Sequence, residues 1–76
     1  MRLSELKLGQ RAEIVVVHNG TSSLRIMELG LVKGTTVQLT SVAPTGDPLA
    51  FQVNDSTVSL RKTDAQLVEV RAITSN

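Results

Sequence analysis

The chain has 76 residues, with eight basic and seven acidic side chains, a net charge of +1 and no cysteine. This length suits one small domain, which we expect over residues 1–76. Without cysteine, the core cannot rely on disulfides or thiolate metal sites, and the absence fits a cytosolic protein. The longest apolar run, at 14–17, is too short to span a membrane, and the N-terminus does not resemble a signal peptide. We therefore expect no membrane insertion.

The charges are interspersed in sign along the chain, and Phe51 is its one aromatic residue. Small nucleic-acid-binding domains usually combine a basic stripe with stacking aromatic side chains. We therefore expect no nucleic-acid partner. A nucleic-acid-associated barrel stays open as an alternative, because small β-barrels often serve that function.

The N-terminal third predicts one helical turn and one strand. Residues 3–8 form the turn, with Ser4 as its cap and Gly9 as its end. Residues 12–18 are β-branched and bounded by turn residues, which indicates a strand. The apolar residues of this strand lie on both faces, so we expect it to be at least partly covered on both sides.

A short helix is predicted over residues 24–29, with hydroxyl caps at 21–23 and a stop at Gly30. At 100° per residue its apolar residues form two groups, Leu24, Met27 and Leu31 on one side and Ile26 and Leu29 roughly opposite. One side packs on the rest of the domain. The other is covered by the N-terminal turn and the loop after the helix, or it is open to a partner.

The rest of the chain predicts four strands and a helical turn. Residues 35–43 form a strand whose change of phase indicates a bulge near Thr40 and Ser41, followed by a type I turn over 43–46. An Asn54-Asp55 turn then pairs Phe51 with Val58 and Leu49 with Leu60. A helical turn at 62–66 and a strand at 67–73 complete the chain, with Val68, Val70 and Ala72 on one side of that strand. We expect a mainly β fold with short helices, a small SH3-like antiparallel barrel of about five strands with one inserted helix; an open α+β sheet is the alternative.

Several short motifs follow one another in a fixed order along the chain. They are Leu3, Leu6 and Gly9, Arg25-Ile26, Leu29-Gly30-Leu31 with Gly34, Ala43-Pro44, Gly46-Asp47-Pro48, Leu60-Arg61, Ala65, Val68 and Val70. In this order and spacing the chain resembles the FeoA family, the domain of ferrous iron transport protein A. The resemblance covers residues 3–71. Lys33 departs from it, because the family often has proline there. We expect structural roles in turns for Gly30, Gly34, Pro44, Gly46, Asp47 and Pro48.

The resemblance implies an SH3-like barrel in bacterial ferrous iron uptake. Its partner would be FeoB, a membrane transporter with a cytoplasmic GTP-binding domain, so the chain would be cytoplasmic or peripheral at the inner face of the membrane. The same domain type forms the C-terminal domain of iron-dependent repressors, which makes a freestanding regulatory barrel the alternative. We expect no cofactor and no enzyme activity of the chain itself.

The hypothesis for the partner-binding site combines residues of the helix with one arginine from the family-like motifs. Arg25, Ile26 and Leu29 would border an apolar groove, and Arg61 would contribute a fourth contact. If the domain accelerates GTP hydrolysis, Arg61 could insert as an arginine finger. The alternative is that Arg61 pairs with Asp64 or with the turn backbone.

No residue pattern predicts catalysis or a metal site. The chain lacks a glycine-rich phosphate loop and has no nucleophile evident near His18. His18 is the one histidine, and Asp47 and Asp55 lie in separate turns, where aspartate favours local hydrogen bonds. We expect Asp47 to fix the Gly46-Asp47-Pro48 turn, and we expect no metal site in this chain despite the iron-transport resemblance.

Overall fold

The computed structural model describes residues 1–73, so the last three residues of the predicted domain lie outside the described part. The elements are a 3-10 turn (Leu3–Glu5), β1 (Arg11–Val17), α1 (Ser23–Glu28), β2 (Thr36–Val42), β3 (Leu49–Val53), β4 (Ser56–Leu60), α2 (Lys62–Ala65) and β5 (Val68–Ala72). The predicted mainly β fold is confirmed, and the strands and both helices lie within one residue of their predicted bounds.

The five strands form one antiparallel sheet in the order β4-β3-β2-β1-β5. Its two end strands, β4 and β5, do not pair with each other within the described residues. The N-terminus lies along the outer side of β5: Arg2 bridges to Glu69, and the Val70 N–H donates to the Met1 carbonyl at 2.8 Å. The outer edge of β5 is therefore covered in part, whereas β4 pairs with β3 alone among the strands of residues 1–73.

The register of the β3–β4 hairpin is the one that the alternating apolar residues predict. Phe51 lies opposite Val58, and Leu49 lies opposite Leu60. Asn54, the first residue of the two-residue turn, has φ 54°, as a tight hairpin turn requires. The predicted bulge in β2 is also confirmed, because its pairing with β3 shifts between Leu39 and Ser41.

The core fills the inner side of this bent sheet. Phe51, its one aromatic residue, is completely buried. The other buried apolar side chains are Leu3, Leu6, Ala12, Ile14, Ile26, Leu31, Val37, Leu39, Leu49, Val53, Val58, Leu60, Ala65, Val68 and Val70. Leu3 is held by the 3-10 turn, and the backbone N–H of the N-cap residue, Arg2, donates to Glu5 Oε1 at 2.5 Å. The prediction of a Ser4 cap is wrong, because Ser4 lies inside the turn and Arg2 occupies the N-cap position.

The loop between β2 and β3 reaches the start of α2. The Gly46 N–H donates to the Ala43 carbonyl at 2.7 Å, closing the turn, and Gly46 has φ 92°. The carboxylate of Asp47 accepts the Lys62 N–H at 3.0 Å, at the first residue of α2. This hydrogen bond from Lys62 to Asp47 therefore satisfies an N–H group at the start of α2 that has no acceptor inside the helix.

Candidate docking site

The two sides of α1 have opposite environments. Ile26 is completely buried and belongs to the core, together with Leu3, Leu6 and Leu31. The prediction that Ile26 borders an exposed groove is therefore wrong, because a side chain with no exposed surface has none to offer a partner. The side of α1 that carries Ile26 therefore packs on the domain core.

The C-terminus of α1 explains why Leu31 is also buried. The Leu31 N–H donates to the Ile26 carbonyl at 3.3 Å, and the Gly30 N–H donates to the Met27 carbonyl at 3.0 Å. With φ 100° at Gly30, these bonds form a Schellman motif, which brings the residue after the glycine towards the last turn of the helix. The chain leaves the helix at Gly30, so Leu31 does not share the environment of Leu24.

The rest of the surface of α1 leaves apolar side chains in contact with solvent. Leu24 is 67% exposed, and Met27 and the C-cap residue Leu29 are both partly exposed. We call these three residues the outer face of α1; around the helix axis, Leu29 lies nearer to the side of Ile26 than to Leu24. Arg25 lies one helical turn before Leu29, so their side chains are neighbours on the helix surface. The outer face therefore combines apolar area with an adjacent positive charge.

Asp64 fixes the other end of α1. Its carboxylate accepts the Ser22 hydroxyl at 2.6 Å and a guanidinium N–H of Arg25 at 3.2 Å. Asp64 is 8% exposed and lies in α2, so these two contacts tie α1 to α2. The expectation of hydroxyl caps at 21–23 is not met, since Ser22 occupies the N-cap position without capping the helix backbone. The Ser22 hydroxyl donates instead to the charged carboxylate of Asp64.

Arg61 does not pair with Asp64 as the sequence suggests. It occupies the N-cap position of α2, is exposed, and borders an open cleft of about 280 Å³ with Asp47 and Pro48. Among residues 1–73 its side chain takes part in no ion pair and no hydrogen bond. The reason for the difference is position: the Asp64 carboxylate contacts Ser22 and Arg25, whereas Arg61 lies at the cleft with Asp47 and Pro48.

His18 has an acceptor on the opposite strand. Its Nε2 lies 3.1 Å from Glu69 Oε1, and Arg2 Nη1 lies 3.9 Å from the same oxygen. The hydrogen bond with His18 lowers the pKa of Glu69 below its ordinary value; the charges of Arg2, His18 and the N-terminus act in the same direction, and desolvation opposes them. Residues 1–73 contain no group of three or more metal-ligating side chains.

The described helices are short. Within residues 1–73, no helix has the length and apolar character that crossing a membrane demands.

Comparison with known proteins gives a match over nearly the whole chain. The model of the FeoA domain matches residues 1–72. A fusion of Fe(2+) transport protein A with the Fe(2+) transporter FeoB, from Porphyromonas gingivalis, is 46% identical over 77 residues. That match takes in all of this chain and 9% of the fusion protein, so the chain spans less than a tenth of this relative.

Solved structures agree with the sequence match. The FeoA protein from Chlorobium tepidum has a TM-score of 0.89 at 35% identity, with coverage of 100% of this chain and 73% of that one. FeoA from Stenotrophomonas maltophilia, crystallised with zinc and described as a prokaryotic SH3 domain protein, has a TM-score of 0.83 at 37% identity, with coverage of 93% and 89%. The predicted SH3-like architecture is thereby confirmed.

A manganese-dependent transcriptional repressor also has a TM-score of 0.85, with coverage of 95% of this chain and 40% of that one. Its identity is 12%, so this likeness shows a shared fold alone. The family model and the relatives of higher identity carry the assignment. The chain belongs to the FeoA domain family.

Proposed function

We propose that this chain is a non-enzymatic accessory protein of ferrous iron uptake and docks on FeoB through the outer face of α1. The observation that carries the proposal is the fusion protein of Porphyromonas gingivalis, which joins a domain 46% identical to this chain to the transporter FeoB. A covalent link raises the effective concentration of two parts that work together. In this proposal, separate chains reach the same arrangement by binding, on the cytoplasmic side of the membrane.

The outer face of α1 suits such a contact because it is both apolar and held in place. Leu24 is 67% exposed, and Met27 and Leu29 are exposed in part. The Schellman motif fixes the C-terminus of α1, and Asp64 fixes its N-terminus. A helix held at both ends loses little conformational freedom on binding, which favours affinity.

Arg25 supplies the polar part of the proposed contact. Its side chain is 60% exposed, although one of its nitrogens already binds Asp64. A guanidinium has five N–H donors, so the bond to Asp64 leaves donors for a carboxylate or carbonyl of the partner. Arg25 would therefore set the orientation of the docked domain, while Leu24 and Met27 supply most of the buried area.

The first experiment is calorimetry of the purified chain with detergent-solubilised FeoB of the same organism, with GDP and with a non-hydrolysable GTP analogue. Binding that depends on the nucleotide supports regulation of the GTPase cycle. Equal binding in both states supports a role in assembly, because a ligand with equal affinity for two states shifts neither. Binding in neither state would refute the proposed function.

Substitution of Leu24 tests the surface. Burying a leucine contributes about 1.5–3 kcal/mol, so Leu24→Gln should weaken FeoB binding by about 10-fold or more. Leu8→Gln is the matched control, because Leu8 is 68% exposed and lies outside α1. Equal weakening by both variants, or by neither, would exclude the outer face of α1 as the docking surface.

Arg61 is tested separately, through the GTP turnover of FeoB in the presence of the chain. We expect Arg61→Ala to leave turnover unchanged, and a large fall would support the arginine-finger alternative.

A salt titration addresses the nucleic-acid alternative, since binding to phosphates weakens steeply with added salt and apolar docking does not.

A further inference from the structure

β4 has one side to which no described strand pairs. Among residues 1–73 its only neighbour in the sheet is β3. Its sequence, Ser-Thr-Val-Ser-Leu, contains no charged residue or proline, and its pairing with β3 has no bulge. Charges, prolines and bulges are the features that keep exposed strand edges from pairing with other chains. β4 is therefore a sheet edge without that protection.

The hairpin register determines which backbone groups of β4 point outward. Val53 and Ser56 flank the two-residue turn, so they exchange backbone hydrogen bonds with each other. Alternation along an antiparallel strand then directs the N–H and C=O groups of the even-numbered residues of β4 to β3. Those of Thr57 and Ser59 point away from the sheet. An antiparallel register that sets Thr57 of one copy opposite Ser59 of another satisfies both residues.

This register also matches charges at both ends of the pair. With the twofold axis at Val58, Asp55 of each copy lies opposite Arg61 of the other. Arg61 has an extended backbone, with φ −70° and ψ 154°, so it continues the direction of β4. Asp55 and Arg61 are both exposed, and neither forms an ion pair within residues 1–73.

The side chains that would meet across this pair are compatible. Thr57 and Ser59 are exposed, whereas Val58 and Leu60 point into the core. The interchain neighbours are therefore two hydroxyl residues and, beyond them, two opposite charges. Hydroxyl pairs and opposite-charge pairs across strands both stabilise a sheet.

We propose that two copies of this chain associate by antiparallel pairing of β4 with β4, joining their sheets into one. The occupant of the edge is a second copy because the edge is complementary to itself, in backbone groups and in charge. A single short strand pair buries less area than a stable dimer interface, so the association is weak and depends on concentration. It uses no residue of the outer face of α1 and goes beyond docking on FeoB.

Sedimentation equilibrium of the purified full chain, from micromolar to millimolar concentration, tests the proposal with two charge reversals. Asp55→Lys and Arg61→Glu each place like charges opposite each other in the paired edge, and each should weaken association by about tenfold or more. An equal mixture of the two variants restores both opposite-charge pairs in the mixed dimer. The mixture should therefore regain the association of the unaltered chain.

Lys33→Glu is the matched control, since Lys33 is exposed, takes part in no ion pair within residues 1–73, and lies outside β4. It should leave association unchanged. Circular dichroism shows whether each variant folds, and Asp55→Asn with Arg61→Gln replaces any variant that does not. A chain that stays monomeric at millimolar concentration, single reversals without effect, a mixture that does not recover, or equal weakening by Lys33→Glu would each overturn the proposal.

Discussion

Replacing Asp64 with alanine should loosen α1 from α2 and destabilise the domain. The carboxylate is 8% exposed and binds the Ser22 hydroxyl at 2.6 Å and Arg25 at 3.2 Å. A hydrogen bond to a charged group contributes about 1.5–3 kcal/mol. The Arg25 side chain is 60% exposed, so solvent screening limits that ion pair to about 0.5 kcal/mol. We expect Asp64→Ala to lower the free energy of unfolding by about 2 kcal/mol.

Urea denaturation followed by circular dichroism measures this loss, and a thermal melt provides a second measurement. For a domain of this size, about 2 kcal/mol corresponds to a fall in Tm of about 8–16 °C. Asp55→Ala is the control, because Asp55 is exposed and pairs with no cation among residues 1–73. That substitution should change the stability by less than about 0.5 kcal/mol.

Double-mutant cycles separate the two contacts of Asp64. The coupling between Asp64 and Ser22 should exceed the coupling between Asp64 and Arg25, and only the latter should shrink on addition of salt. An Asp64→Ala variant as stable as the unaltered chain would refute the role of this carboxylate. A larger coupling to Arg25 than to Ser22 would refute the assignment of the free energy between the two contacts.

Two further predictions concern burial and pH. Ile26→Ala should lower the free energy of unfolding by about 2–5 kcal/mol, measured by urea denaturation, because the residue is fully buried. Leu24→Ala should change it by less than about 0.5 kcal/mol. Equal losses in the two variants would contradict the assignment of the two sides of α1. The pKa of Glu69 in the folded domain is lowered below its ordinary value of 4.5. The contacts of Glu69 therefore stabilise the domain at pH values above 4.5. This stabilisation is lost as the pH falls through the folded-state pKa. In an NMR titration, His18→Ala should raise the pKa of Glu69; an unchanged pKa would show that this hydrogen bond does not set it.

Local patterns were sufficient to predict the strands and the pairing of β3 with β4. Alternation through Leu49, Phe51 and Val53, with a two-residue turn after them, fixes the β3–β4 register without information from elsewhere in the chain. The bulge in β2 can be predicted in the same way, because the alternation of apolar residues along the strand changes phase there. Both features depend on residues close in sequence, which is why they can be predicted.

The candidate site depends on contacts between distant residues. A helix of six residues with apolar groups on two sides gives no indication of which side the core will cover, and Ile26 lies on the covered side. The contact between Ser22 and Asp64 joins residues 42 positions apart, so neither residue type nor spacing predicts it. A buried aspartate near a short polar loop is a weak signal that becomes informative only when its partners are known.

The position of β1 in the sheet has a consequence for how the domain is made. β1 lies between β2 and β5, so its hydrogen bonds on one side depend on residues 68–72. Pairing of β1 with β5 closes a long loop in the chain. The chain loses conformational entropy on closure before the contacts between the strands stabilise it, which slows folding. During synthesis the sheet cannot be completed until β5 has left the ribosome, and until then Ala12 and Ile14 lack part of their cover. The sheet of this domain is therefore completed only after residues 68–72 have been synthesised.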